Sequence, residues 1–238
     1  IRATDDAHYC YLNLFPNYAP GETLKTDSYR EYVNRFDREV PLQLLSFDHY
    51  PVVGDTCRPE WYENLEIFSD EARKAGKPFW AFALATAHKP YPIPDLAQLR
   101  LQVYSDLAYG AQGIQYFTYW TPEKNPTWDF HHAPVERSSG RRTDVYDKIK
   151  QMNAEIQALS GVFLGCEVVS VRHTGESIPR GTVRLTDLPE PVRRLETEGS
   201  GAVVSQLENQ GYTFLVIVNR DPNTAMGLRF EAESRVRQ

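Results

Sequence analysis

Four runs along the chain concentrate apolar, β-branched and aromatic residues: HYCYLNLF from His8, LQLLSF from Leu42, PFWAFAL from Pro78 and GIQYFTYW from Gly113. Each has the length and composition of a buried strand. Between them the apolar spacing turns helical. Ser28 and Glu31 stand at capping-box spacing ahead of a face made of Tyr29, Tyr32, Val33, Phe36 and Val40. A second helix opens with Pro59 in its first turn, repeats Trp61, Leu65, Phe68 and Ala72, and stops at Gly76. Asp95 is the expected N-cap of a third, whose stripe is Leu96, Leu99, Val103 and Leu107 and whose end is Gly110. A fourth runs from about Thr143 to Ser160 with Val145, Ile149, Met152, Ile156 and Leu159 facing inward.

Strand followed by helix four times predicts a parallel sheet with right-handed crossovers, and strands this apolar predict burial on both faces. The strand starts lie about 35 residues apart, the length of one βα unit in a barrel. A doubly wound sheet and a barrel both satisfy this pattern, and the strand ends decide between them. Asn13 and Asn17, then Asp48, His49 and Tyr50, then Thr86 and His88, then Tyr119 and Trp120 put functional groups at four successive strand ends. That suits a barrel, whose site is assembled by all its βα loops, better than a sheet with one switch point. The expected fold is therefore α/β, with residues 1–164 forming the C-terminal half of a (β/α)8 TIM barrel. Half a barrel leaves open edges, so the other half is expected from residues upstream of Ile1. After Gly161 the texture changes to EVVSVRHTG, GTVRLTDL, AVVSQLEN, YTFLVIVNRD and GLRFEAESRV. These short alternating segments predict a small antiparallel β-sandwich over residues 165–238, left incomplete if its last strand runs to the chain end.

Composition then narrows the partners. No apolar run approaches the roughly 20 residues of a membrane span. Net charge is −6 with both signs interspersed, which is no footprint for nucleic acid. A neutral, polar ligand fits better, and the 14 Tyr and 4 Trp offer faces for sugar rings as well as bulk for a core. GxGxxG and GxxxxGK[ST] are both absent, and His49, His88, His131 and His132 match no compact metal motif. Neither a cofactor nor a metal is expected. No nucleophile elbow is present, and Cys10, Cys57 and Cys166 form neither a metal pair nor an even disulfide set, which reads as free thiols. The chain opens at Ile1 without a leader, and localisation stays open; a leader lost upstream would direct the protein to the periplasm or outside the cell.

The sharpest chemical signal is LSFDHYP, where Asp48 and His49 terminate an apolar strand. A carboxylate there is placed to act as general acid, base or ligand for sugar hydroxyls, or else to cap the loop and hold His49 in one tautomer. Asn13 and Asn17 are amides suited to hydroxyls, although Asn17 equally suits an Asx turn. Trp120 and Trp128 are candidates for a stacking platform, or for core or lid.

Taken together, YLNLFPNYA, LSFDHYPV, YENLEIFSDEARKAGKPFW, AYGAQGIQYFTYWTP and YDKIKQMNAEIQALSGVFLG resemble glycoside hydrolases of gut Bacteroides-type bacteria, distant relatives of the family 42 β-galactosidases. The resemblance covers residues 8–165. It implies that these strands are the fifth to eighth of the barrel and that the acid/base Glu after the fourth lies before Ile1. It also implies a nucleophile Glu after the seventh, yet ALATAHKPY holds none. Glycosidic hydrolysis normally uses two carboxylates about 5–10 Å apart. Asp48 or a loop residue such as Glu123 then serves as the second, or the protein is not a conventional glycosidase. The working expectation is a carbohydrate substrate, catalysis by Asp48 oriented by a neighbour such as His49, and a pocket shaped by Asn13, Asn17, His49, Tyr50, His88, Tyr119 and Trp120. Two alternatives stay open: a sugar-binding barrel that has lost its second carboxylate, and a barrel enzyme of other chemistry, such as a metal-assisted lyase or isomerase.

Overall fold

A computed structural model describes residues 4–5 and 7–233. Strands β1 (Asn13–Leu14), β2 (Leu45–Asp48), β3 (Phe79–Leu84) and β4 (Gly113–Phe117) form one parallel sheet in the order β1-β2-β3-β4. Each strand adds to the same edge, so the order never reverses. Between and after the strands come α1 (Tyr29–Glu39), α2 (Trp61–Ala75), α3 (Leu96–Ala108) and α4 (Asp144–Ala158).

Register explains the two faces. Leu14, Phe47, Ala81 and Ile114 lie in one row across all four strands, and they pack in the core with Val33, Trp61, Leu65, Phe68 and Ala72 from the helices. The adjacent row is Asn13, Ser46, Trp80 and Gly113, which alternation turns to the opposite face. Burial on both faces was expected; instead this second face is polar and aromatic. Gly113 is required there, because a Cβ would lie 2.6 Å from the Trp80 ring.

Local signals account for most helix ends. Asp95 accepts from the Gln98 N–H at 2.7 Å and the Gln98 side chain returns to the Asp95 N–H, a reciprocal box. Ser28 accepts from the Glu31 N–H, but the Glu31 carboxylate takes the N–H of Asp27 rather than that of Ser28. Gly76 closes α2 at φ 64°, and Glu60 is its N-cap, so Pro59 precedes the helix instead of standing in its first turn. Leu159, expected to face inward with the rest of its stripe, instead caps α4 and is exposed.

Beyond Gly165 two antiparallel sheets follow. One has β5 (Glu167–His173), β7 (Ala202–Asn209) and β8 (Tyr212–Asn219) in the order β8-β7-β5; the other pairs β6 (Val192–Thr197) with β9 (Leu228–Ala232). The expected strand GTVRLTDL is an extended loop with a single bridge, Arg184 to His173. The end of the last predicted strand, Ser234–Val236, lies outside the described residues. Val192, Leu195, Ala202 and Val204 form a small apolar cluster of their own. The three-stranded sheet also shares the main core: Val171 and Val203 join Trp61, Tyr62, Ala108 and Tyr109. Ser205 Oγ donates to the Ala108 carbonyl at 2.7 Å, and the Tyr109 hydroxyl lies 2.9 Å from His173 Nε2. The three cysteines are unpaired, and no described helix is long and apolar enough to cross a membrane.

Two glycines in this region separate strain from collision. Gly211 sits at φ +81° with open space around a would-be Cβ, whereas at Gly201, φ +79°, a Cβ would run into the Thr174 carbonyl. Gly211→Ala is expected to cost about 1 kcal/mol of stability and Gly201→Ala roughly 3 kcal/mol or more, because the second adds a backbone clash to the same dihedral penalty. Equal costs in urea denaturation would remove the steric part of this account.

Candidate active site

Asp48 ends β2, and the parallel strands bring Asn13 of β1 beside it. Asn13 Nδ2 donates to Asp48 Oδ1 at 2.7 Å, while Asn13 Oδ1 accepts from Ser46 Oγ at 2.8 Å. Burial pushes the Asp48 carboxyl above the ordinary aspartate value; hydrogen bonds from Asn13, from its own backbone and from Tyr50 pull the other way. Burial also raises the Tyr50 hydroxyl, and the charge of Asp48 raises it further, so Tyr50 stays protonated and presents a donor to the carboxylate.

An aromatic wall extends from Tyr50. Its ring meets Tyr91 edge-on at 5.7 Å and Phe117 at 6.0 Å. Buried His88 lies against Tyr91, Phe130 and Trp128, with Phe130 at 4.8 Å and Trp128 at 5.5 Å. Its Nδ1 is 3.0 Å from the Thr86 carbonyl. A carbonyl only accepts, so Nδ1 carries the proton and Nε2 is the ring nitrogen left to meet a ligand. Trp128 and Phe130 stack at 6.0 Å. Arg58 stands 4.3 Å over the Tyr18 ring and donates to the Tyr91 hydroxyl at 3.2 Å, tying the loops after β1, β2 and β3 together.

Of the residues expected at the site, Asn13, Asp48 and Tyr50 meet directly, and His88 joins them through Tyr91 and Phe117. His49 does not. It is 1% exposed, lies edge-on to Tyr18 at 4.9 Å, and burial drives its pKa down to about 3. It makes no hydrogen bond to Asp48, so the expected orienting neighbour is Asn13 instead; successive strand residues point to opposite faces. Asn17 is occupied in anchoring, its N–H donating to Asn64 Oδ1 at 2.8 Å and its Nδ2 to the Glu60 carbonyl at 2.9 Å. Tyr119 and Trp120 are exposed and pair edge to face at 5.7 Å, outside the His88 cluster, which holds the other platform candidate, Trp128. Glu123 is exposed and ion-paired with Arg137 at 2.8 Å. Tyr18, Arg58, Tyr91 and Phe130 were missed because only folding brings their loops together; KPYP in the third loop is the one local sign of an ordered aromatic.

A profile of glycoside hydrolase family 42, described as beta-galactosidase, matches residues 13–159, more than half of the chain. No curated protein matches its sequence. Among solved structures the chain is similar to the endo-beta-1,4-mannanase from Thermotoga petrophila, at 12% identity and a TM-score of 0.36, over 91% of this chain and 57% of the mannanase.

Proposed function

The chain belongs to the family 42 glycoside hydrolases, the beta-galactosidase family, and on that premise we propose that it hydrolyses a glycosidic bond with Asp48 as one of two catalytic carboxylates. The observation that carries this reading is the Asp48 side chain itself: a half-buried carboxylate at a strand end, held by the Asn13 amide at 2.7 Å and facing a protonated tyrosine beside an aromatic wall. Donors on the anionic form suit a base or nucleophile, and a second carboxylic acid protonates the leaving oxygen; their separation sets retention or inversion. Glu123 is exposed and ion-paired with Arg137, which favours a partner carboxylate contributed from outside these residues.

In this reading β1 to β4 are the last four strands of a (β/α)8 barrel, residues 1–164, and residues 165–238 are a β-sandwich packed upon it. The unreversed strand order and the polar, aromatic face opposite the helices support the barrel, since that face becomes the lumen when the remaining strands close over it. His88 Nε2 accepts a sugar hydroxyl, Asn13 and Tyr50 flank the reacting carbon, and Trp128, with Tyr119 and Trp120 further out, offers C–H stacking faces. Asn17 and His49 support the rim from beneath.

The test is a panel of p-nitrophenyl glycosides, galactosides first, given to the complete protein. Release of nitrophenol from at least one sugar is the expected result. Sugar binding in calorimetry without release from any of them would establish the binding-only barrel in its place.

A further inference from the structure

Four hydrogen bonds cross the polar face of the sheet and end on Asp48. Tyr11 Oη donates to Gln115 Oε1 at 2.8 Å, Gln115 Nε2 donates to Ser46 Oγ at 3.2 Å, Ser46 Oγ donates to Asn13 Oδ1 at 2.8 Å, and Asn13 Nδ2 donates to Asp48 Oδ1 at 2.7 Å. Every donor points the same way. The direction follows from the last member: an ionised carboxylate only accepts, so Asn13 must turn its NH2 toward it and its carbonyl toward Ser46. Ser46 must then spend its single hydrogen on Asn13 and accept from Gln115, which leaves Gln115 Oε1 for the Tyr11 hydroxyl.

We propose that Tyr11, Ser46 and Gln115 are positioning residues that act through Asn13 to hold the Asp48 carboxylate in its reactive orientation. Nothing local in the sequence links them, since Tyr11 and Gln115 are 104 positions apart. The sheet register does: Ser46 is paired with Asn13, and Gln115 lies one strand beyond Phe82, the residue opposite Asp48. Trp80 is the floor of the arrangement. Its ring contacts Tyr11 at 5.8 Å and covers Gly113, which has no side chain to displace it. Bonds in such a chain polarise one another, so cutting it anywhere weakens the final bond, with less effect the more distant the cut.

The inference rests on the reading of Asp48 as a reacting group, and two readouts keep the two apart. The first is the Asp48 carboxyl titration followed by 13C NMR, its signal assigned by its absence in Asp48→Asn. The Arg58 guanidinium stands over Tyr18, and the other titratable groups about Asp48 are the hydroxyls of Tyr18, Tyr29, Tyr32 and Tyr50, all four kept protonated by burial through the acid range. Ser46→Ala is expected to move the Asp48 titration upward, Tyr11→Phe less so, and Ser46→Thr, which keeps a hydroxyl, to restore it in part. The second readout is the pH profile of kcat/KM. Its acid limb should move with the titration, and kcat should fall roughly tenfold in Ser46→Ala and two- to threefold in Tyr11→Phe with KM little changed, the scale of one hydrogen bond. An Asp48 titration that stays put in both Ser46→Ala and Gln115→Leu overturns the network, even if activity falls. A titration that moves while the acid limb does not leaves the network standing and removes Asp48 from the reaction.

Discussion

Replacing Asp48 with Asn is expected to remove turnover by the complete protein, by roughly 10²–10⁴-fold in kcat, while leaving it folded and no less stable at neutral pH. The two halves of that expectation come from one environment. Asparagine keeps the shape of the side chain, and its Oδ1 still accepts from Asn13 Nδ2, the bond now made at 2.7 Å to the carboxylate. What it cannot do is carry the charge that takes a proton or attacks a sugar carbon. Burial is the largest influence on Asp48 and disfavours the ionised form, so a neutral amide is the easier group to bury. Activity and melting temperature should therefore part company, the first lost and the second held or raised. A variant that hydrolyses at near wild-type rates removes Asp48 from the mechanism, and one that loses both together identifies a structural residue.

The second large effect is acid destabilisation through two neutral, buried histidines. Burial drives both His49 and His173 from an ordinary value of 6.5 to about 3; for His173 the positive charge of Arg220 acts in the same direction. The unfolded chain takes up protons below pH 6.5 that the folded chain refuses until about pH 3. Stability from each histidine is thus complete above pH 6.5 and is lost as pH falls through that window. By pH 5 the loss is about 2 kcal/mol per histidine. Buried acids oppose this. Asp106 and Glu66, raised by burial, bind protons more readily folded than unfolded and gain stability as pH falls. The histidine share is therefore read as a difference. His173→Gln lowers stability at pH 7.5, where it spoils the contact with Tyr109, but its deficit against wild type should shrink by about 2 kcal/mol between pH 7.5 and pH 5. A deficit that is constant with pH in urea denaturation would mean that His173 takes up its proton equally in the folded and the unfolded protein.

How much of this could be read from the chain depends on whether the cause was local. The Trp61, Leu65, Phe68, Ala72 stripe and the Asp95 cap are determined by spacing within one helix, and they fold as their spacing says. β6 was missed because VRRLET looks like a solvated charged run. In the folded protein its arginines find partners across the strand pair, Arg194 with Glu231 at 3.5 Å and Arg193 with Glu233 at 2.8 Å, which no window of a few residues contains. β1 is shorter than HYCYLNLF suggests because Tyr9 and Tyr11 lie against Trp80 instead of continuing the ladder. At the site, Asp48 and Asn13 were legible as polar residues at strand ends, and they do meet. His49 was misread by the same logic, since adjacency in sequence is opposition in a strand. Arg58 and Tyr91 belong to different loops and had no common signal.

The seam between the helices and the three-stranded sheet bears on how this lineage can be rearranged. Tyr109 and Ala108 end α3 in contact with His173 and Ser205, Gly110 has room for nothing larger than hydrogen beside Val168, and Asn209 donates to the Leu164 carbonyl at 2.9 Å. The three-stranded sheet therefore serves these helices as an outer hull. A recombinant boundary drawn at the change in sequence texture near Leu164 would strip that hull and leave Tyr62 and Tyr109 without the His173 they pack against, so any graft of these βα units onto another scaffold has to carry β5 and β7 as cargo.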